Sequence, residues 1–280
     1  MELAYFHADG DTIVPNEISR SAWKDDQIHG VAVSGALARA AERTLEGTGR
    51  DDLRPARFTV DLFKAASMAP AVFETEVVRE GPRICVVDVV MVQDGQRVAR
   101  ASALFLRPSA SAPGEVWSPA ERPTPPPADV VPPSVEPRVP FMFSSAGWSQ
   151  RFAEHQNPSR KQSWNTALPV VAGEPVTPFQ AVASVADGAS LVTNWGSGGV
   201  EHINTDITLA LSREPVGVEI GLSAMDRVEQ DGIAVGTAAV LDRQGQLGNV
   251  VVTSLANARR TVDFEQIDYT DDGERRTTRA

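Results

Sequence analysis

The chain has 280 residues, 42% hydrophobic and 22% charged, the composition of one large or two ordinary core-forming domains. It carries 26 Lys and Arg against 37 Asp and Glu, a formal net charge of −11, and that field repels a phosphate backbone and argues against nucleic-acid binding. No run of about 18 apolar residues occurs, so no membrane span is predicted, and MELAYFHADGDTIVP lacks the basic-then-apolar order of a secretory signal. The single cysteine, Cys85, cannot close an internal disulfide, which fits a reducing, cytoplasmic setting.

In chain order, the first predicted element is a helix from His29 to Leu45. Val33, Leu37, Ala41 and Leu45 recur at four-residue steps and make one apolar face, rich in Ala and Gly, that can lie close to a flat surface. A strand is predicted over Arg57–Phe63, leading to Ala69-Pro70. After the turn Glu80-Gly81 comes a long apolar strand holding Cys85, whose thiol is expected to be buried and inert. The turn Asp94-Gly95-Gln96 opens a strand from Arg97 to Leu106. There Ala99, Ala101, Ala103 and Phe105 point one way, and Val98, Arg100, Ser102 and Leu104 the other. Small residues on both surfaces suit a sheet wrapped tightly round a helix.

Residues 108–140 are crowded with proline and are predicted to form a semi-rigid extended spacer. Beyond it, Thr177 as N-cap and Pro178 at the first helical position start a second helix that runs to Ala186. The strand Asn204–Leu211 then leads to Glu214-Pro215, followed by turns at Asp231-Gly232 and Gln244-Gly245-Gln246 and a strand from Leu247 to Ala256. Gly81 and Gly95 are 14 residues apart, and Gly232 and Gly245 are 13 apart, so the second half reads as a duplication of the first. The expected division is 1–107, a linker 108–140, 141–264, and a polar tail 265–280. One helix followed by an antiparallel sheet, twice over, is an α+β architecture.

Several chemistries are missing. No G-x-S-x-G elbow, P-loop or G-x-G-x-x-G is present. The histidines at 7, 29, 155 and 202 lack metal-ligand spacing, so neither a metal nor another cofactor is predicted.

The first half, with Trp23, His29-Gly30 before an alanine-rich helix and the strand Asp94–Phe105, resembles a hotdog domain. The second half carries Trp164, then Val170-Val-Ala-Gly-Glu-Pro-Val-Thr-Pro-Phe-Gln180, Ala186-Asp187, Ile203–Thr208 and Arg213-Glu-Pro215. This order is similar to the second hotdog of acyl-CoA thioesterase II proteins, and the resemblance covers the chain from Trp23 to Arg259 outside the spacer. It implies a tandem, or double, hotdog with each antiparallel sheet wrapped around a central helix. The implied substrate is an acyl-CoA and the implied reaction is thioester hydrolysis. An Asp, a Thr and a Gln of the second hotdog would hold and activate a water there, with no covalent nucleophile.

Carried across by position, the family aspartate corresponds to Asp187. The threonine falls at Asn204, with Thr205 beside it. The glutamine would lie near Thr253 and Ser254, where this chain has none. His29 and Gly30 at the first helix start, and Trp195 and Gly198 in Trp195-Gly-Ser-Gly-Gly199, are the expected substrate contacts. His29 could instead cap its helix as a neutral ring. Arginines outnumber lysines 23 to 3, which suits phosphate contacts. A homo-oligomer is expected, because fused hotdogs leave edges and faces that commonly pair again. Two other readings remain open. The missing glutamine allows a non-catalytic acyl-CoA or acyl-carrier binder. An enoyl-CoA hydratase would need an Asp and a His five apart, whereas Asp25 and His29 are four apart.

Overall fold

The computed structural model describes residues 3–257, 259–269 and 275–277. A hairpin of β1 (Phe6–Asp9) and β2 (Thr12–Pro15) precedes α1 (Gly30–Glu46), β3 (Arg54–Leu62), β4 (Val72–Gly81), β5 (Ile84–Gln93) and β6 (Gln96–Leu106). Then come β7 (Phe141–Ser144), β8 (Gly147–Ser149), β9 (Gln162–Thr166), α2 (Pro178–Ala186) and α3 (Ala189–Asn194). Next are the short strands β10 (Trp195–Gly196), β11 (Gly199–Val200) and β12 (His202–Asn204). The last large strands are β13 (Asp206–Leu211), β14 (Glu219–Gln230), β15 (Ile233–Asp242) and β16 (Gly245–Ala256).

Twelve strands form one antiparallel sheet in the order β4-β5-β6-β3-β13-β16-β15-β14-β9-β7-β8, with β12 also on β16. Read outward from the central β3–β13 pair, the halves repeat: β3, β6, β5, β4 on one side and β13, β16, β15, β14 on the other. The predicted duplication is thus a pseudo-two-fold. It is centred near Thr59, which lies opposite Thr208. Two-residue Asp-Gly turns with positive φ (Asp94 50°, Gly95 69°; Asp231 53°, Gly232 77°) close the β5–β6 and β14–β15 hairpins, the geometry that matches strand twist.

The sheet curls around α1 and α2, and the predicted face of α1 (Val33, Leu37, Ala41, Leu45) is buried. Thr177 caps α2 by accepting from the Gln180 N–H at 3.1 Å. Its first-turn Phe179 packs edge-on against Phe58 of β3 and Phe105 of β6, with centroids 5.5 and 5.7 Å away, so the second helix is anchored in the first half's sheet. The helices approach closely because small residues face each other. A Cβ built on Gly35 would lie 2.2 Å from Ser184 Oγ, and Ser34 Oγ donates to the Ala183 carbonyl at 2.7 Å.

The N-terminal segment is tied to the second half, since the Tyr5 and Phe6 N–H groups donate to the Pro169 and Val170 carbonyls. The linker is only partly a spacer. Val131 is fully buried with Trp164, Ala239 and Leu241, and Arg243 donates to the Pro126 and Val131 carbonyls while stacking 4.6 Å from the Trp164 ring. The outward face of β15 is apolar at this end and needs cover, which the prolines alone did not reveal. In the tail, Ile267–Tyr269 (β17) pairs with Arg275–Thr277 (β18); the rest of the predicted polar tail beyond β17 lies outside the described residues. Cys85 is buried as expected.

Because Val131 is a core residue, Val131→Ala should lower unfolding free energy by about 1–3 kcal/mol in urea titrations, as a buried methyl deletion does. An exposed spacer would give no measurable change.

Candidate active site

A cavity of about 410 Å³ opens where the start of α1, the end of β3, the α2–α3 junction and β12 meet. Asp187, the C-cap of α2, projects into it. The close helix approach fixes its position, since a Cβ on Gly30 would lie 2.2 Å from Asp187 Oδ1 and 2.5 Å from Oδ2. Only a glycine allows a carboxylate to rest on the first residue of α1. The helix start carries partial positive charge and unpaired N–H groups, which attract an anion.

Asn204 Nδ2 donates to Asp187 Oδ1 at 2.9 Å, and among the described residues this is the carboxylate's one side-chain hydrogen bond. Burial pushes the Asp187 carboxyl up to about 6, and the Asn204 bond partly offsets it. Tyr5 is driven above the usual phenol range by its own burial and then by the Asp187 charge, and its ring meets the His29 ring edge-on at 5.3 Å.

His29 is the N-cap of α1. Its Nδ1 accepts from the Ala32 N–H at 3.1 Å and its Nε2 lies 3.1 Å from the Ile18 carbonyl, which assigns the proton to Nε2. Burial lowers its pKa to about 4, so the ring is neutral with both nitrogens engaged. It lines the cavity as a wall, and with Nδ1 held by the Ala32 N–H and Nε2 by the Ile18 carbonyl neither nitrogen is free for the hydratase role considered for it.

Of the other predicted residues, Gly30, Asn204 and Thr205 also line this cavity. The Thr205 hydroxyl is turned to the Thr253 carbonyl at 3.2 Å and Asp206 at 3.3 Å. Thr253 and Ser254 are not among the lining residues; Ser254 lies opposite Asn204 in the ladder, and its Oγ accepts from Asn194 Nδ2 at 3.0 Å. Trp195 lines a second cavity of about 610 Å³, beyond α3. Gly198 lines neither, and its Cα faces the Glu201 carboxylate. Sequence reasoning passed over Tyr5, Leu191 and Phe264, which reach the site from segments without a motif.

The pseudo-two-fold has an instructive counterpart. At the start of α2, Glu42 of α1 accepts from Thr177 Oγ1 and Gln180 Nε2, both at 2.8 Å. Each helix start thus receives a carboxylate from the other helix. That of Glu42 is held by two side-chain donors, whereas that of Asp187 has one and opens onto the cavity.

Residues 19–106 match the acyl-CoA thioesterase N-terminal domain and residues 113–251 the acyl-CoA thioesterase C-terminal domain. The chain belongs to the acyl-CoA thioesterase family. Among solved structures it is similar to the tesB protein of Mycobacterium avium subs paratuberculosis, with 16% identity, TM-score 0.62, and 90% of this chain and 95% of that one covered. It is also similar to the acyl-CoA thioesterase II TesB2 of Mycobacterium marinum (15%, TM-score 0.60, 89% and 93%). A hot dog fold protein of unknown function from Alicyclobacillus acidocaldarius aligns as well (20%, TM-score 0.60, 90% and 94%). These likenesses establish the double hotdog. No curated protein sequence matched.

The raised pKa of Asp187 gives a stability prediction. The fold favours the protonated carboxyl, so its contribution is present below the unfolded value near 3.8 and is lost as pH rises through about 6. Asp187→Asn, which does not ionise, should therefore stabilise the protein at pH 8 by about 1–3 kcal/mol. The advantage over wild type should vanish below about pH 4 in denaturation series. A constant difference across pH would mean the carboxyl is not held by burial.

Proposed function

We propose that the Asp187 cavity hydrolyses an acyl-CoA thioester by general-base activation of water. The observation that carries this reading is a half-buried carboxylate, with its pKa near 6, resting on the first residue of α1 inside a ligand-sized cavity. A water held by the Asp187 carboxylate, whose Oδ1 is fixed by Asn204, attacks the thioester carbonyl carbon as Asp187 takes its proton. The N–H groups at the start of α1 stabilise the carbonyl oxygen as it gains charge. The tetrahedral intermediate then collapses, the C–S bond breaks, and the proton passes from Asp187 to the departing thiolate. A free acid and CoA thiol result.

Asn204 stands where the family has threonine, and orients the base rather than the nucleophile. Ser254, held by Asn194, does not supply the missing glutamine's reach. Two units, 1–107 and 141–264, joined by 108–140, share this one site. The buried, unpaired Cys85 supports a reducing cytoplasmic setting, and the exposed edge strand β4 supports assembly into a homo-oligomer. No helix among the described residues is long and apolar enough to cross a membrane.

Thiol release from an acyl-CoA panel tests the reading. Asp187→Asn should lower kcat by about 10²–10⁴-fold, the usual worth of a positioned base. Unchanged turnover would remove Asp187 from the mechanism. Thermal stabilisation by acyl-CoA without thiol release would make the protein a binder. Gly30→Ala should cost activity without unfolding the chain. Alanine favours the helix by up to about 1 kcal/mol while its Cβ forces the carboxylate off its seat. A fully active Gly30→Ala enzyme would show that the seat is not needed.

A further inference from the structure

The two cavities are separated by very little. Leu191 of α3 lines the site cavity, while the next three residues, Val192 to Asn194, line the larger one behind it. The rest of the partition is aromatic. Phe264 lines the site cavity and Trp195 lines the other, and their ring centroids are 4.6 Å apart. Phe152 backs both, at 5.2 Å from Phe264 and 5.8 Å from Trp195. All three rings are buried. A cluster of this kind does not rearrange cheaply, because each ring is in contact with the other two.

Trp195 pays for its place. Its indole N–H is buried and has no hydrogen-bond partner among the described residues, a cost a phenylalanine would avoid. What the position retains is bulk. On the site side, Leu191, Val200, Ile203, Val262 and Phe264 form an apolar lining that continues from the Asp187–Asn204 pair to the ring cluster. Apolar surface with no polar anchor suits a hydrocarbon chain and offers nothing to a nucleotide or a pantetheine amide.

We propose that the Trp195–Phe264 ring pair is the stop that limits the length of the acyl chain this site accepts, making the enzyme selective for short and medium acyl groups. The inference rests on the hydrolase reading for the identity of the ligand. The chain enters along Leu191 and Ile203 with its thioester at Asp187, and its methyl end meets Phe264. Behind the rings lies a cavity of about 610 Å³ that the acyl chain does not reach. Removing a ring joins the two spaces.

The test compares kcat/KM for hexanoyl-CoA and hexadecanoyl-CoA in the purified full-length chain. The wild type is expected to favour hexanoyl-CoA by about tenfold or more, since the methylenes beyond the stop are accommodated only by backing the thioester away from Asp187. Phe264→Ala should raise the hexadecanoyl-to-hexanoyl ratio at least about tenfold, and Phe264→Leu should raise it less, in proportion to the bulk removed. Leu191→Phe, which fills the slot ahead of the stop, should move the ratio the opposite way and keeps the test alive if Phe264→Ala does not fold. A wild type that takes hexadecanoyl-CoA as well as hexanoyl-CoA, or variants whose ratios match wild type, would overturn the proposal. Thermal stabilisation by the same ligands on Asp187→Asn reads chain length without turnover. Loss of hydrolysis everywhere, with the chain-length order intact in binding, would overturn the hydrolase reading and leave the stop standing.

Discussion

The contact between α1 and α2 is too close for side chains at Gly30 and Gly35, and the site follows from that constraint. Ser184 occupies the space over Gly35 and the Asp187 carboxylate the space over Gly30, one helical turn further along α2. Small residues bring the two backbones together, and Phe179, wedged between Phe58 and Phe105, holds α2 against the first half's sheet. A carboxylate from one unit is thereby delivered to the helix start of the other. Neither half alone could build the site.

Two opposing electrostatic effects act at that point. Burial disfavours the charged carboxylate, while the helix start and the Asn204 amide favour it. The balance leaves Asp187 near 6, a carboxyl that is ionised at neutral pH and still able to accept a proton. The surroundings keep other titrating groups out of play. His29 spends Nδ1 on capping α1 and Nε2 on the Ile18 carbonyl and stays neutral, and Tyr5 stays protonated beside the charge it faces. Glu42, the carboxylate at the other helix start, has its Oε2 taken by Thr177 and Gln180. Duplication supplied two such ends, and side-chain pairing distinguishes them.

Much of the architecture could be read from the chain because it rests on local rules. Four-residue apolar spacing gave α1, Thr177-Pro178 gave the start of α2, and matching turn intervals gave the repeat. Asp187 was singled out through the family resemblance, which places the aspartate just after the second helix. What escaped depends on tertiary contact. The prolines of 108–140 announce an extended chain, but not that Val131 would cover Trp164 on the outer face of β15. Ser254 is polar and correctly placed along its strand, yet its hydroxyl is taken by Asn194, a residue 60 positions earlier. Trp195 was expected at the ligand and stands behind Phe264 instead, a distinction that only the packing of three rings decides.

The central claim is that the carboxylate seated on α1 is the base of the reaction. The most direct measurement is the titration of the Asp187 carboxyl carbon by ¹³C NMR, assigned by its loss in Asp187→Asn, beside the pH profile of kcat/KM. Both should report an apparent pKa near 6, with activity rising as the carboxyl ionises. A carboxyl that titrates near the ordinary aspartate value, or an activity profile that ignores the titration observed, would contradict the account.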